Sequence, residues 1–73
     1  MGNELRGKTL GIIGLGSIGR EVVKRARAFE MRIAAHDPYV TPKIAKDLGV
    51  DLMDLTALYA ASDYISLHVA ATP

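Results

Sequence analysis

Residues 11–20 read GIIGLGSIGR, an apolar run that breaks into Gly14, Gly16 and Gly19 at G-x-G-x-x-G spacing. Each glycine has a separate geometric task in such a turn. Gly14 permits a sharp exit from a strand, Gly16 lets a phosphate approach the backbone where a Cβ would stand, and Gly19 allows a helix to lie close to the strand it follows. The N–H groups of Ser17 and Ile18 then open that helix, where free amides and the positive dipole end favour an anion. The Ser17 hydroxyl adds a further donor. By spacing alone the pattern is weak, and its flanks decide it.

Upstream, KTLGIIG (8–14) has the look of a short buried parallel strand. Downstream, Ile18, Val22, Val23, Ala26 and Phe29 recur at helical spacing to about Glu30, with Arg20, Glu21, Lys24, Arg25 and Arg27 on the other face. Glu21 and Arg25 are placed as an i, i+4 pair. MRIAAHD (31–37) reads as a second strand halted by Pro38. TPKIAKDLG (41–49) carries its own helix punctuation, with Thr41 as N-cap, Pro42 at the first helical position and Gly49 past the end. VDLM is a brief third strand, Asp54 caps a helix through Leu55, Leu58, Tyr59 and Ala61, and DYISLHV (63–69) is a fourth strand in which Ile65, Leu67 and Val69 alternate. The order βαβαβαβ implies parallel pairing through crossovers, so the fold class is α/β, half of a Rossmann (doubly wound) fold with parallel strand order 3-2-1-4.

The downstream acid required by the motif is Asp37, eighteen residues after Gly19 and at the carboxyl end of the second strand. A carboxylate there accepts both hydroxyls of an adenosine ribose and repels a 2′-phosphate, which points to NAD rather than NADP as cofactor. The expected crevice is lined by Gly14, Gly16, Ser17, Ile18, Gly19, Asp37 and Pro38, and by His68, Val69 and Ala70 at the end of the fourth strand. Tyr39, directly after Asp37-Pro38, either packs near an adenine or covers the end of the sheet.

Bulk properties exclude several other classes. At 73 residues with 49% hydrophobic and 23% charged residues, the chain suits one small globular domain with marginal stability. A formal net charge of +1 gives no strong attraction to nucleic acid or to an anionic membrane. With 0 cysteines, disulfide and thiolate chemistry are excluded, which is compatible with a cytoplasmic protein. No apolar stretch approaches the ~20 residues of a membrane span, the first residues lack a secretory core, and Arg6 stands where a myristoylation signal needs Ser or Thr. His36 and His68, with Asp37 and Asp63, lack metal-ligand spacing, so no metal site is expected. The basic residues from Arg20 to Arg32 are not interleaved with a series of aromatic stacking partners and read as a solvated helix face. Ser66 has no nucleophile-activating companions at a sequence-readable spacing.

LGIIGLGSIG, then thirteen residues, then IAAHD resemble the nucleotide-binding signature of the NAD-dependent D-2-hydroxyacid dehydrogenase family. The lead-in GNELRGKTLGIIGLGSIGREV looks most like the phosphoglycerate dehydrogenase branch, and ASDYISLHVAATP is similar to a second family segment whose loop reaches over the cofactor. The chain departs from the family at Ser17, where many relatives carry a basic residue, and at Ala70 and Ala71, where a proline usually follows LHV. The resemblance implies that residues 1–73 are the N-terminal half of a NAD-binding domain, with the substrate domain and the catalytic arginine, acid and histidine outside it. His68 is then not the catalytic histidine, no residue of this chain is catalytic, and the chain is expected to bind the ADP half of NAD without catalysing hydride transfer. A homodimer through the exposed edge of the fourth strand is expected as well. Two alternatives stay open: a folded or self-assembling half-domain that binds no ligand, and a module for another adenosine nucleotide.

Overall fold

Strands and helices alternate along the chain in the expected sequence. The computed structural model describes residues 4–68, with β1 (Thr9–Ile13), α1 (Ser17–Ala28), β2 (Arg32–His36), α2 (Pro42–Leu48), β3 (Asp51–Leu52), α3 (Leu55–Ala61) and β4 (Tyr64–Leu67). The four strands form one parallel sheet in the order β3-β2-β1-β4, as the sequence predicts. No helix among the described residues is long and apolar enough to cross a membrane.

The pleat decides which helix covers which side. In β1 a Cβ added at Gly11 would run into Ser62 and Leu58 of the α3 side, whereas Ile12 approaches Gly19 of α1. Adjacent strand residues face opposite sides, so α1 and α3 cover opposite faces of the sheet. The register pairs Gly11 with Ala34 and Ile12 with Ala35. The α3 face is therefore built from small residues that admit Leu58, which is fully buried. The α1 face carries the larger core, in which Ile12, Leu15, Val23, Ala26, Ile33 and Ala35 meet Ala45 and Val50. The mid-strand glycine is what lets a helix lie this close to β1.

The helix ends follow their expected chemistry in two cases. The Ile44 amide donates to the Thr41 hydroxyl at 3.2 Å, and the Ala57 amide donates to Asp54 Oδ1 at 2.7 Å. Gly49 closes α2 with φ 75°, and Arg27 reaches from α1 to donate to the Leu48 carbonyl at 3.1 Å.

Helix α1 differs from the reading of its face and its end. Only Gly19, Val23 and Ala26 are buried; Ile18 and Phe29 are 68% and 47% exposed, because they fall at the two ends, beyond the width of the sheet. The helix stops at Ala28, and Glu30 takes a left-handed conformation with φ 59°, so the expected extension to Glu30 is two residues too long. Glu30 pairs with Arg6, and the Gly7 amide donates to its carbonyl at 3.1 Å. Glu21 pairs with Lys24 at 3.6 Å in place of Arg25.

On β4 the alternation is present but uncovered. Ile65 and Leu67 lie on the α3 face and are 46% and 64% exposed, since α3 packs over β1 and β2. Tyr59 and Tyr64 are likewise exposed at 55% and 48%. The start of β4 is fastened to β1 by a reciprocal pair: the Thr9 amide donates to Asp63 Oδ2, and the Asp63 amide donates to the Thr9 carbonyl, each at 2.8 Å.

Candidate functional site

The register brings three strand ends to one level. Ile13 pairs with His36 on one side and with Leu67 on the other, so the next residues, Gly14, Asp37 and His68, leave the sheet side by side. Two hydrogen bonds continue the ladder there: the Gly14 amide donates to the His36 carbonyl at 2.9 Å, and the His68 amide donates to the Ile13 carbonyl at 2.7 Å. The strand order reverses between β1 and β4, and open parallel sheets take their ligands at the carboxyl ends of strands flanking such a reversal.

The glycine turn divides into positions that the protein needs and one that it does not. Gly14 has φ 97°, a conformation costly for any residue with a Cβ. At Gly19 a Cβ would be driven into the Gly14 carbonyl. Gly16 has φ −72°, open to any residue, and a Cβ built there meets nothing within 4 Å. Neither backbone nor packing demands glycine at 16, so the space above it is free for an approaching group. An anion could approach the backbone here more closely than at any residue with a side chain.

The helix start repeats the distinction. Side chains cap α2 and α3, whereas Gly16 caps α1 with no side-chain hydrogen bond. Ser17 and Ile18 are exposed, and the first amides of a helix have no intrahelical acceptor.

Asp37 is half-buried and already engaged at both oxygens. The Leu15 amide donates to Oδ2 at 2.7 Å, and the Tyr39 amide donates to Oδ1 at 2.8 Å. A carboxylate offers about four acceptor sites, so it retains capacity for two ribose hydroxyls. On the far side of the Leu15 residue, Arg20 Nε donates to its carbonyl at 3.2 Å.

The family-wide pattern described as "D-isomer specific 2-hydroxyacid dehydrogenase, NAD binding domain" matches residues 1–73. The chain belongs to this family. Its matched segment is an NAD-binding domain, and NAD is the cofactor of that domain. Among its relatives, D-3-phosphoglycerate dehydrogenase of Methanocaldococcus jannaschii is 53% identical over 73 residues, covering 99% of this chain and 14% of that protein. Hydroxypyruvate reductase of Thermotoga maritima is 56% identical over 71 residues, covering 97% of this chain and 22% of that one. The apo structure of D-lactate dehydrogenase from Escherichia coli superposes with a TM-score of 0.83 at 45% identity, covering 94% of this chain and 22% of that chain. The chain thus spans about a seventh to a fifth of the length of the relatives it matches.

Within the family's NAD-binding fold, the remaining site candidates are placed as follows. Pro38 and Tyr39 are exposed beside Asp37, with Tyr39 at 92%. His68 is half-buried, and its Nε2 lies 2.5 Å from Ser66 Oγ, two residues back on β4. Val69 and Ala70 lie outside the described residues. His36 Nδ1 is 3.2 Å from the Met53 carbonyl, so this ring ties β2 to the segment after β3. A groove of about 420 Å³ lined by Pro42, Ala45, Lys46, Val50, Asp51 and Leu52 contains none of these residues.

Three contributors escape a reading of the sequence. Arg20 looks like one more cation on a solvated helix face, and no local signal marks its bond to the turn. Leu15 acts through its backbone, which its side-chain type does not report. Gly11 carried a usable signal, because a glycine inside a strand marks close approach of another element.

Proposed function

We propose that residues 1–73 form the N-terminal half of the NAD-binding domain of a D-2-hydroxyacid dehydrogenase, most like phosphoglycerate dehydrogenase, and that this half holds the ADP portion of NAD. The observation that carries the reading is the open space at Gly16, one residue from the Leu15 amide that Asp37 holds at 2.7 Å from the neighbouring strand end. In this reading Gly14 and Gly19 shape the turn, and Gly16 leaves room for the pyrophosphate. The amides of Ser17 and Ile18 and the Ser17 hydroxyl donate to its oxygens. Asp37 accepts the adenosine ribose hydroxyls, and its charge disfavours a 2′-phosphate. Pro38, His68, Val69 and Ala70 form the walls on either side. When bound, NAD supplies hydride-acceptor chemistry for oxidation of a 2-hydroxyacid in the full-length protein. In this reading the residues that act on substrate belong to other parts of the full-length protein, and the 73-residue chain binds without catalysing.

With contacts to one half of the cofactor only, dissociation constants for NAD and ADP-ribose are expected on the order of 0.1 to several mM. Titration followed by NMR tests this. Both ligands should shift the amide resonances of Gly16, Ser17 and Ile18, and NADP should shift them less. No movement at several millimolar ligand overturns the proposal. Incubation with NAD and 3-phosphoglycerate should produce no NADH absorbance. The cysteine-free composition agrees with a cytoplasmic location, which cell fractionation tests.

A second copy of the chain is the proposed protein partner. β4 stands at the edge of the sheet with Ile65 and Leu67 uncovered, and an apolar edge strand favours strand-to-strand association.

A further inference from the structure

The two backbone polar groups of Leu15 are held from opposite directions by side chains of different elements. Asp37, beyond the end of β2, accepts from the amide at 2.7 Å. Arg20, in the second turn of α1, donates to the carbonyl at 3.2 Å. The Leu15 side chain is 2% exposed and locked into the core, so the residue is restrained at three points. It lies directly between Gly14, which sets the exit from β1, and Gly16, which caps α1. The orientation of the Leu15 backbone therefore sets where the Gly16 and Ser17 amides point.

We propose that Asp37 and Arg20 are positioning residues for the phosphate cradle, acting through the Leu15 backbone, in addition to any contact that Asp37 makes with ribose. This rests on the NAD-binding reading above, because it presumes that the turn receives a pyrophosphate. It adds a link between the two halves of the site. The carboxylate that would take the ribose also holds the loop that takes the phosphates. A residue whose formal role is at one end of the nucleotide then controls affinity at the other.

The sign of one substitution separates this from a ribose-only role. A carboxylate close to a pyrophosphate repels it, so removing an Asp that serves ribose alone should leave pyrophosphate binding unchanged or strengthen it. Removing an Asp that holds the loop should weaken it. Loss of one such charge-assisted hydrogen bond is expected to lower pyrophosphate affinity about five-fold in Asp37→Ala. Asp37→Asn keeps one acceptor oxygen, which serves the Leu15 amide when the side-chain nitrogen takes the Oδ1 position at the expense of the Tyr39 bond, and should stay within about two-fold of the unmodified chain. Arg20→Lys preserves the charge and loses the Nε donor, and should weaken pyrophosphate binding about two- to three-fold.

The experiment titrates inorganic pyrophosphate and ADP-ribose separately into the 73-residue chain and the three variants, read at the Gly16 and Ser17 amides. Hydrogen exchange at the Leu15 amide is measured without ligand. The expected result is weaker pyrophosphate binding and faster Leu15 exchange in Asp37→Ala, both recovered in Asp37→Asn, with unchanged amide shifts in α2 and α3 as the control for folding. Unchanged or tighter pyrophosphate binding in Asp37→Ala overturns the proposal. So does an unmodified chain that ignores pyrophosphate while binding ADP-ribose, a result that leaves the NAD reading standing. An unmodified chain that ignores both ligands overturns both.

Discussion

Gly19 lies so close to the Gly14 carbonyl that no side-chain atom fits between helix and turn. The obstacle is backbone, which cannot swing aside as a flexible side chain can. Gly19→Ala is therefore expected to lower stability by about 2–3 kcal/mol, through displacement of α1 from β1. Urea denaturation at constant m-value measures this, and a loss below about 0.5 kcal/mol would show that the turn relaxes freely.

Gly16→Val is expected to act in the opposite way. Its Cβ enters open space at an ordinary φ, so the fold should lose no more than about 1 kcal/mol, from a poorer N-cap. The valine fills the cradle above the turn, and ADP-ribose binding should fall at least about ten-fold. Circular dichroism melting and NMR titration on the same sample distinguish the two effects.

Gly11→Ala probes the opposite face of the sheet. The new methyl would overlap Ser62 Oγ and approach Leu58 Cδ2 to 2.8 Å. A cost of about 1–3 kcal/mol is expected. Ser62→Ala in the same chain should recover part of it, since the hydroxyl that donates to the Leu58 carbonyl at 2.6 Å is then gone. A double-mutant cycle in denaturant gives the coupling.

Glu30→Gly should stabilise the chain by about 0.5–1 kcal/mol, because a left-handed residue after a helix is relieved of its Cβ. The Arg6–Glu30 pair lost in the exchange is exposed on both sides and offsets little of this gain. A fall in melting temperature would show that the pair outweighs the backbone strain.

Ile65→Lys should hold the chain as a monomer at concentrations where the unmodified chain self-associates. A charge on the exposed face of an edge strand opposes pairing with a second copy. Sedimentation equilibrium at high micromolar concentration tests both, and an unmodified chain that sediments as a monomer removes the partner proposal.

The parts of this structure that were legible from sequence are those governed by local chemistry. Thr41, Asp54 and Gly49 carry their helix ends in their own side chains or lack of one, and the strand–helix alternation needs only the period of apolar residues. The turn from Gly14 to Gly19, with Asp37 beyond the next strand, is readable because a strand before it and a helix after it narrow what the glycine spacing can mean. What could not be read depends on tertiary placement. Ile18 and Phe29 satisfy the helical period yet project past the sheet, and Ile65 alternates correctly on a strand that no helix covers. Asp63 shows in the sequence only as a carboxylate without metal-ligand spacing, and its bond to the Thr9 amide exists only once the fold brings β4 beside β1. Arg20 shares the basic face of α1 with Lys24 and Arg25, and its bond to the Leu15 carbonyl depends on how the turn before the helix is folded.

The Thr9–Asp63 bonds join residues separated by 54 positions, nearly the full length of the described chain. Pairing β1 with β2 closes a much shorter loop, so the β1–β4 ladder carries the larger entropic barrier and is expected to form late in folding. His68 reaches its place beside Gly14 only when that last strand docks. A nucleotide that bridges Asp37, the glycine turn and the end of β4 therefore recognises only chains that have completed the slowest step. It would act kinetically as a latch, slowing the departure of β4 and favouring the finished sheet by mass action.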